Sequence, residues 1–155
     1  MQDMTSLFHD TDIDLAMLDA DGQAVLIAQV RVSDLSPGQF SEPVITYARH
    51  HGIPFFLIAD LNTIRIYHVD DRASLIFEAP TIDVLSRYDR DFSSKRIFGF
   101  YLKRLIEAWL RDVAYHWKSE MPPCFKELSD VGLAQRVMNG TTLSESETFH
   151  VSMIA

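Results

Sequence analysis

The sequence predicts an α/β fold, a mixed central β-sheet of ββαβ(β) order followed by a long C-terminal amphipathic helix. Three observations predict it. Short β-branched and apolar runs recur through residues 12–78, one capped helical stretch interrupts them, and from Ser93 the apolar residues change to steps of three and four. The chain has 155 residues, 47% hydrophobic and 23% charged, which excludes wholesale disorder and a disulfide-built scaffold.

The first two runs, residues 12–18 and 24–32, flank Asp21-Gly22. Asp-Gly between such runs is the strongest short hairpin signal, because a two-residue type I′ turn needs positive φ at both central positions. In that register Ala20 faces Gln23, Leu18 faces Val25, Asp14 faces Gln29 and Asp12 faces Arg31. Alternation then collects Asp12, Asp14, Gln29 and Arg31 on one face and puts Ile13, Leu15, Val30 and Val32 on the other.

After a loop with Ser36-Pro37-Gly38, Ser41 caps a helix that carries Glu42 and Pro43 in its first turn and ends at Gly52. Val44, Tyr47, Ala48 and His51 form its expected buried stripe. Residues 53–59 are apolar enough for a strand covered on both faces, and strand, helix, strand implies a parallel crossover. Asp60-Leu61-Asn62 turns the chain into an alternating strand over residues 63–69. Residues 74–78 then read as an edge strand stopped by Pro80.

Ile97, Phe98, Tyr101, Leu102, Leu105, Ile106, Trp109, Val113 and Trp117 form a helical stripe, with Lys103, Arg104, Glu107, Arg111 and Lys118 largely off it. One helix running to Lys118 and ended by Pro122-Pro123 is expected. A shorter helical piece over residues 127–138 stops at Asn139-Gly140. The expected organisation is an α/β core over residues 1–92, a helical segment over 93–140 packed on it, and a flexible tail over 141–155.

The formal charge of −8 is uneven: residues 1–92 carry six arginines against fifteen acidic residues, residues 93–127 seven basic against four acidic. An acidic first half repels a phosphate backbone, so nucleic acid would have to meet the basic segment, through Lys103, Arg104, Arg111 and Lys118. A solvated helix face accounts for the same four residues. No apolar run is long enough to span a membrane, and the first ten residues lack the basic start and apolar stretch of a secretory signal. A lone cysteine, Cys124, agrees with a reducing compartment, and the cytoplasm is the expected address. Asp19 to Gly22 lacks the spacing of a calcium loop, and His50-His51 fits a helix end that favours positive charge.

Asp14 at a strand start, the strand Val25-Leu26-Ile27-Ala28-Gln29-Val30-Arg31, the short helix, Gly52-Ile53-Pro54-Phe55-Phe56-Leu57-Ile58 and Ile64-Arg65-Ile66-Tyr67 together resemble the PD-(D/E)xK nuclease superfamily over residues 12–78. The likeness is to its restriction-endonuclease-like domains. The run from Tyr101 to Pro123 is in turn similar to C-terminal segments of cyanobacterial nuclease-like proteins. The resemblance implies a restriction-endonuclease-like core, with Asp14 and Gln29 as the Mg²⁺ or Mn²⁺ ligands and Arg31 at the place of the lysine that readies water. It also raises the expectation of a homodimer.

Two positions depart from that pattern. Gln29 offers a hard cation a neutral carbonyl in place of a carboxylate, and Arg31 keeps its proton at any working pH, so it can contact a phosphate but cannot act as a base. Residues 1–94 contain no lysine to take its place. A cross-strand pairing of Asp12 with Arg31 and Asp14 with Gln29 explains the same residues without catalysis. The expectation is therefore a catalytically degraded nuclease-like domain that binds a protein partner or a second copy and needs no cofactor. The alternatives are an active Mg²⁺- or Mn²⁺-dependent nuclease using Asp14, Gln29 and Arg31, and a nucleic-acid-binding domain that does not cut. Trp109 and Trp117 serve either in-chain packing or a partner.

Overall fold

The computed structural model describes residues 13–32 and 42–144. Among these residues six strands form one mixed sheet: β1 (Leu15–Leu18), β2 (Ala24–Val30), β3 (Phe55–Ala59), β4 (Thr63–Val69), β5 (Ala73–Pro80) and β6 (Thr141–Ser144), in the order β5-β4-β3-β2-β1-β6. Of these strands β2 and β3 run parallel, joined through α1 (Glu42–His50), and the other neighbouring pairs among the described residues are antiparallel.

Helices cover both faces, which explains why β2 and β3 are buried at every position. On one face α1 packs Val44, Ile45 and Ala48 against Ile13, Ala16, Ile27, Phe56 and Ile58. On the other, α3 (Gly99–Tyr115) lays Leu102, Leu105, Ile106, Trp109 and Val113 over Leu26, Ala28, Leu57 and Ile66. The same layer holds α2 (Thr81–Leu85), α4 (Phe125–Asp130) and α5 (Leu133–Val137).

Several elements differ from expectation. The hairpin loop has three residues, Ala20-Asp21-Gly22. The Gly22 N–H donates to the Asp19 carbonyl at 3.0 Å, the Asp19 N–H donates to the Gln23 carbonyl at 2.8 Å, and Gly22 has φ 83°. The Asp19 carboxylate causes this, accepting the N–H groups of Asp21 and Gln23 at 2.9 Å each. Leu18 therefore pairs with Ala24, and a shift after Met17 restores the expected pairing of Ala16 with Ile27 and Leu15 with Ala28.

In α1 the buried stripe is Val44, Ile45 and Ala48; His51 lies outside and stacks on Tyr47, with ring centroids 4.0 Å apart. The long helix ends at Tyr115, where His116 turns left-handed at φ 53°, well before Pro122-Pro123. Phe98 and Trp117, assigned to its buried stripe, are exposed. Where a single helical piece is expected over residues 127–138, Gly132, at φ 84°, separates α4 from α5. The segment from Thr141, expected as a flexible tail, opens with β6, which pairs along β1 from Leu15 to Leu18.

Candidate functional site: the Asp14 carboxylate and its cations

Asp14 lies just before β1, and its backbone departs from strict alternation. Its N–H donates to the Ala28 carbonyl at 2.8 Å, although Ala28 is already the register partner of Leu15. Two residues of one strand thus oppose one of the other, a β-bulge that re-aims a side chain. The core confirms the kink, since Ile13 packs in the α1 layer and Leu15 in the α3 layer despite being two residues apart.

The bulge delivers the Asp14 carboxylate to cations. Oδ2 accepts the Val30 N–H at 2.8 Å and Arg31 Nη1 at 2.6 Å, and Oδ1 pairs with Lys103 Nζ at 2.9 Å. Arg31 Nη1 also donates to the Val30 carbonyl at 2.8 Å, hooking the guanidinium over the end of β2. The Asp14 side chain is 9% exposed, and those of Arg31 and Lys103 are 37% exposed. One buried negative charge thus sits beneath two half-exposed positive ones. Such a cluster is net cationic, repels a divalent metal, and leaves neither carboxylate oxygen without a partner.

Of the expected site residues, the structure brings Asp14 and Arg31 together and leaves Gln29 apart. Gln29 stands between Ala28 and Val30, which face α3, and beside Ile58 in the parallel pairing, so its side chain belongs to the α1 layer. The expectation that Asp14, Gln29 and Arg31 share a face is corrected on that account: the bulge at Asp14 moves its carboxylate out of the layer in which Gln29 remains. Asp12, expected opposite Arg31, lies outside the described residues. Lys103 is the member that sequence reasoning missed. It stands one turn into α3, beside the buried Leu102, and only the packing of that helix on the sheet brings it to β1.

The expected phosphate stripe is divided. Lys103 is committed to Asp14, and Arg111 donates to Thr142 Oγ1 at 2.7 Å and pairs with Glu107 at 3.4 Å. Arg104 lies over the Phe100 ring at 4.7 Å and Lys118 over the Trp117 ring at 6.0 Å. Trp109 is fully buried, with its indole N–H donating to the Pro123 carbonyl at 2.9 Å, whereas Trp117 is half exposed and donates to the Ala108 carbonyl at 2.8 Å.

Two further carboxylates tie loops down. Asp112, fully buried in α3, accepts the Tyr88 hydroxyl at 2.7 Å and the N–H groups of Lys118 and Ser119 at 3.0 Å each. Burial alone would raise its pKa, but these donors outweigh burial and hold the carboxyl below its ordinary range. Asp89 accepts the Tyr101 hydroxyl and Lys95 Nζ at 2.6 Å each. The Cys124 thiol is pushed up to about 11, first by burial and then by Glu127 and Asp83, so it stays protonated near neutral pH.

Among the described residues no group of three or more His, Cys, Asp or Glu side chains could hold a metal ion, and no helix is long and apolar enough to cross a membrane. Compared with family models, curated proteins and solved structures, the chain finds no match in any of the three.

Proposed function

We propose that this chain is a catalytically degraded domain of the restriction-endonuclease-like kind, acting in the cytoplasm as a binding or regulatory module for another protein or for a second copy of itself. The observation that carries this reading is the double commitment of the Asp14 carboxylate, to Arg31 and the Val30 N–H on one oxygen and to Lys103 on the other. A carboxylate so held serves as an ion-pair node between β2 and α3. To ligate Mg²⁺ it would have to give up charge-assisted hydrogen bonds.

The alternative, a Mg²⁺- or Mn²⁺-dependent nuclease with Asp14 and Gln29 as ligands and Arg31 on the scissile phosphate, gains one argument and loses one. Lys103 supplies an amine beside Asp14, which Arg31 cannot replace chemically. Gln29, in the α1 layer, is removed from that carboxylate. The test is incubation of purified protein with single-stranded and duplex DNA in Mg²⁺ or Mn²⁺, beside Asp14→Ala and Lys103→Met. No metal-dependent cleavage is expected from any of the three; cleavage by wild type that Asp14→Ala abolishes would establish the nuclease.

A further inference from the structure

We propose that the groove at the C-terminal ends of β2 and β3 docks an extended peptide segment of another protein, one in which acidic residues flank an aliphatic or aromatic side chain. This rests on the binding-module reading and names the chemistry of its partner. The groove encloses about 650 Å³ between Val32, the Leu61-Asn62 turn, Ile82 of α2 and the run from Phe92 to Gly99. Its volume lies within the roughly 300–1,000 Å³ of ligand clefts, room for one or two side chains and their backbone.

Apolar exposure converges here. Val32 is 39% exposed, Ile82 41% and Phe98 63%, and all three line the groove. Single exposed apolar residues are ordinary on any surface, but several meeting in one concavity over an apolar floor mark a place where another chain is covered. The buried Phe92 and Ile97 provide that floor.

Charge selects the partner. In a chain of net −8, the groove lining among the described residues holds Lys95 and Arg96 and no Asp or Glu. Lys95 is engaged by Asp89. The Arg96 guanidinium lies over the Phe98 ring at 5.2 Å and makes no ion pair among the described residues; Arg104 repeats the arrangement over Phe100. A guanidinium parked on a ring is oriented, weakly hydrated and open along its edge, so it can take a carboxylate bidentately while the ring receives the neighbouring apolar side chain. Gly99, the first residue of α3, lines the same groove, and no side-chain cap occupies the helix start, which adds positive potential of the same sense. An acidic, apolar peptide satisfies both features, whereas a nucleic acid would bring its phosphates against a molecule whose charge elsewhere is strongly negative.

The test uses the full chain and a fluorescein-labelled heptapeptide, EELEFEE, read by fluorescence polarisation against its lysine counterpart KKLKFKK and a labelled oligothymidylate. Expected are saturable binding of the acidic peptide, weakening of about tenfold or more in Arg96→Glu and in Phe98→Ala, loss at high salt, and no binding of the basic peptide. Both substituted side chains are exposed, and should Phe98→Ala nonetheless fail to fold, Arg96→Glu and the salt dependence carry the test. The proposal is overturned by absence of saturable binding, by binding indifferent to both substitutions, by equal binding of KKLKFKK, or by tighter binding of the oligothymidylate. A concentration-dependent dimer that Phe98→Ala dissolves would also overturn it, since the groove would then belong to a second copy. Failure of peptide binding in a protein without metal-dependent cleavage removes this proposal alone; Asp14-dependent cleavage removes the reading beneath it.

Discussion

A buried carboxylate beneath two cations behaves differently according to which partner is removed. Asp14→Ala strands Arg31, Lys103 and the Val30 N–H together, and should lower stability by about 1–3 kcal/mol in denaturant unfolding. Lys103→Met leaves Asp14 its guanidinium and backbone donor and removes a half-exposed ion pair, so its cost should be under about 1 kcal/mol. Equal losses in the two variants would contradict the geometry. Asp112 makes a second prediction. Its folded pKa is held below the ordinary 3.8, so its stabilising contribution is complete above that value and is lost as pH falls through the depressed one. Acid unfolding followed by circular dichroism should accordingly give a shallower loss of stability below about pH 4 in Asp112→Asn than in wild type. Of these two carboxylates the sequence marks Asp14, through its place at a strand start. Nothing local marks Asp112, because Tyr88, Lys118 and Ser119 reach it only once α3 is packed.

At the scale of elements, the order of strands and helices is legible because each run carries its own punctuation: Asp21-Gly22, Gly52, Asp60-Leu61-Asn62 and Pro80 all fall at or beside element ends. Boundaries set by side-chain chemistry are less so. Asp19 turns a two-residue reversal into a three-residue loop, and the left-handed His116 stops α3 before the prolines do. The bulge at Asp14 has no sequence signature, and it decides which layer receives the carboxylate. β6 escapes notice because its Thr141-Thr142-Leu143-Ser144 is too short and polar to announce a strand; its place is given by the free edge of β1. Gly140 is the hinge of that edge, since an added Cβ would run into the Leu18 carbonyl oxygen. Gly140→Ala should cost about 1–3 kcal/mol by overpacking and lower the melting temperature, with faster amide exchange along β6; an unchanged melting temperature would show that β6 can shift without loss.

Across the whole molecule, the two helical layers divide what the sequence groups together. The residues that resemble a metal centre are split by the sheet, with Gln29 in the α1 layer and Asp14 turned toward α3, while a lysine distant in sequence arrives at the carboxylate. The acidic half of the chain and the basic run after Ser93 meet at the ends of β2 and β3, where the ion-pair node and the groove lie near one another. The resemblance in the sequence rests on local motifs, each a short run of neighbouring residues. The arrangement of charge around Asp14 depends on a bulge and a helix docking, and neither is written in any short stretch of residues.

The most direct measurement is a Mn²⁺ titration of the ¹⁵N-labelled protein followed by amide paramagnetic broadening, beside Asp14→Ala. Because the Asp14 oxygens are already held by Arg31, Lys103 and the Val30 N–H, the amides of Asp14 and Val30 should show no broadening beyond that of the protein surface at large. Selective, saturable broadening at those two amides that disappears in Asp14→Ala would place a metal on the carboxylate and contradict the account.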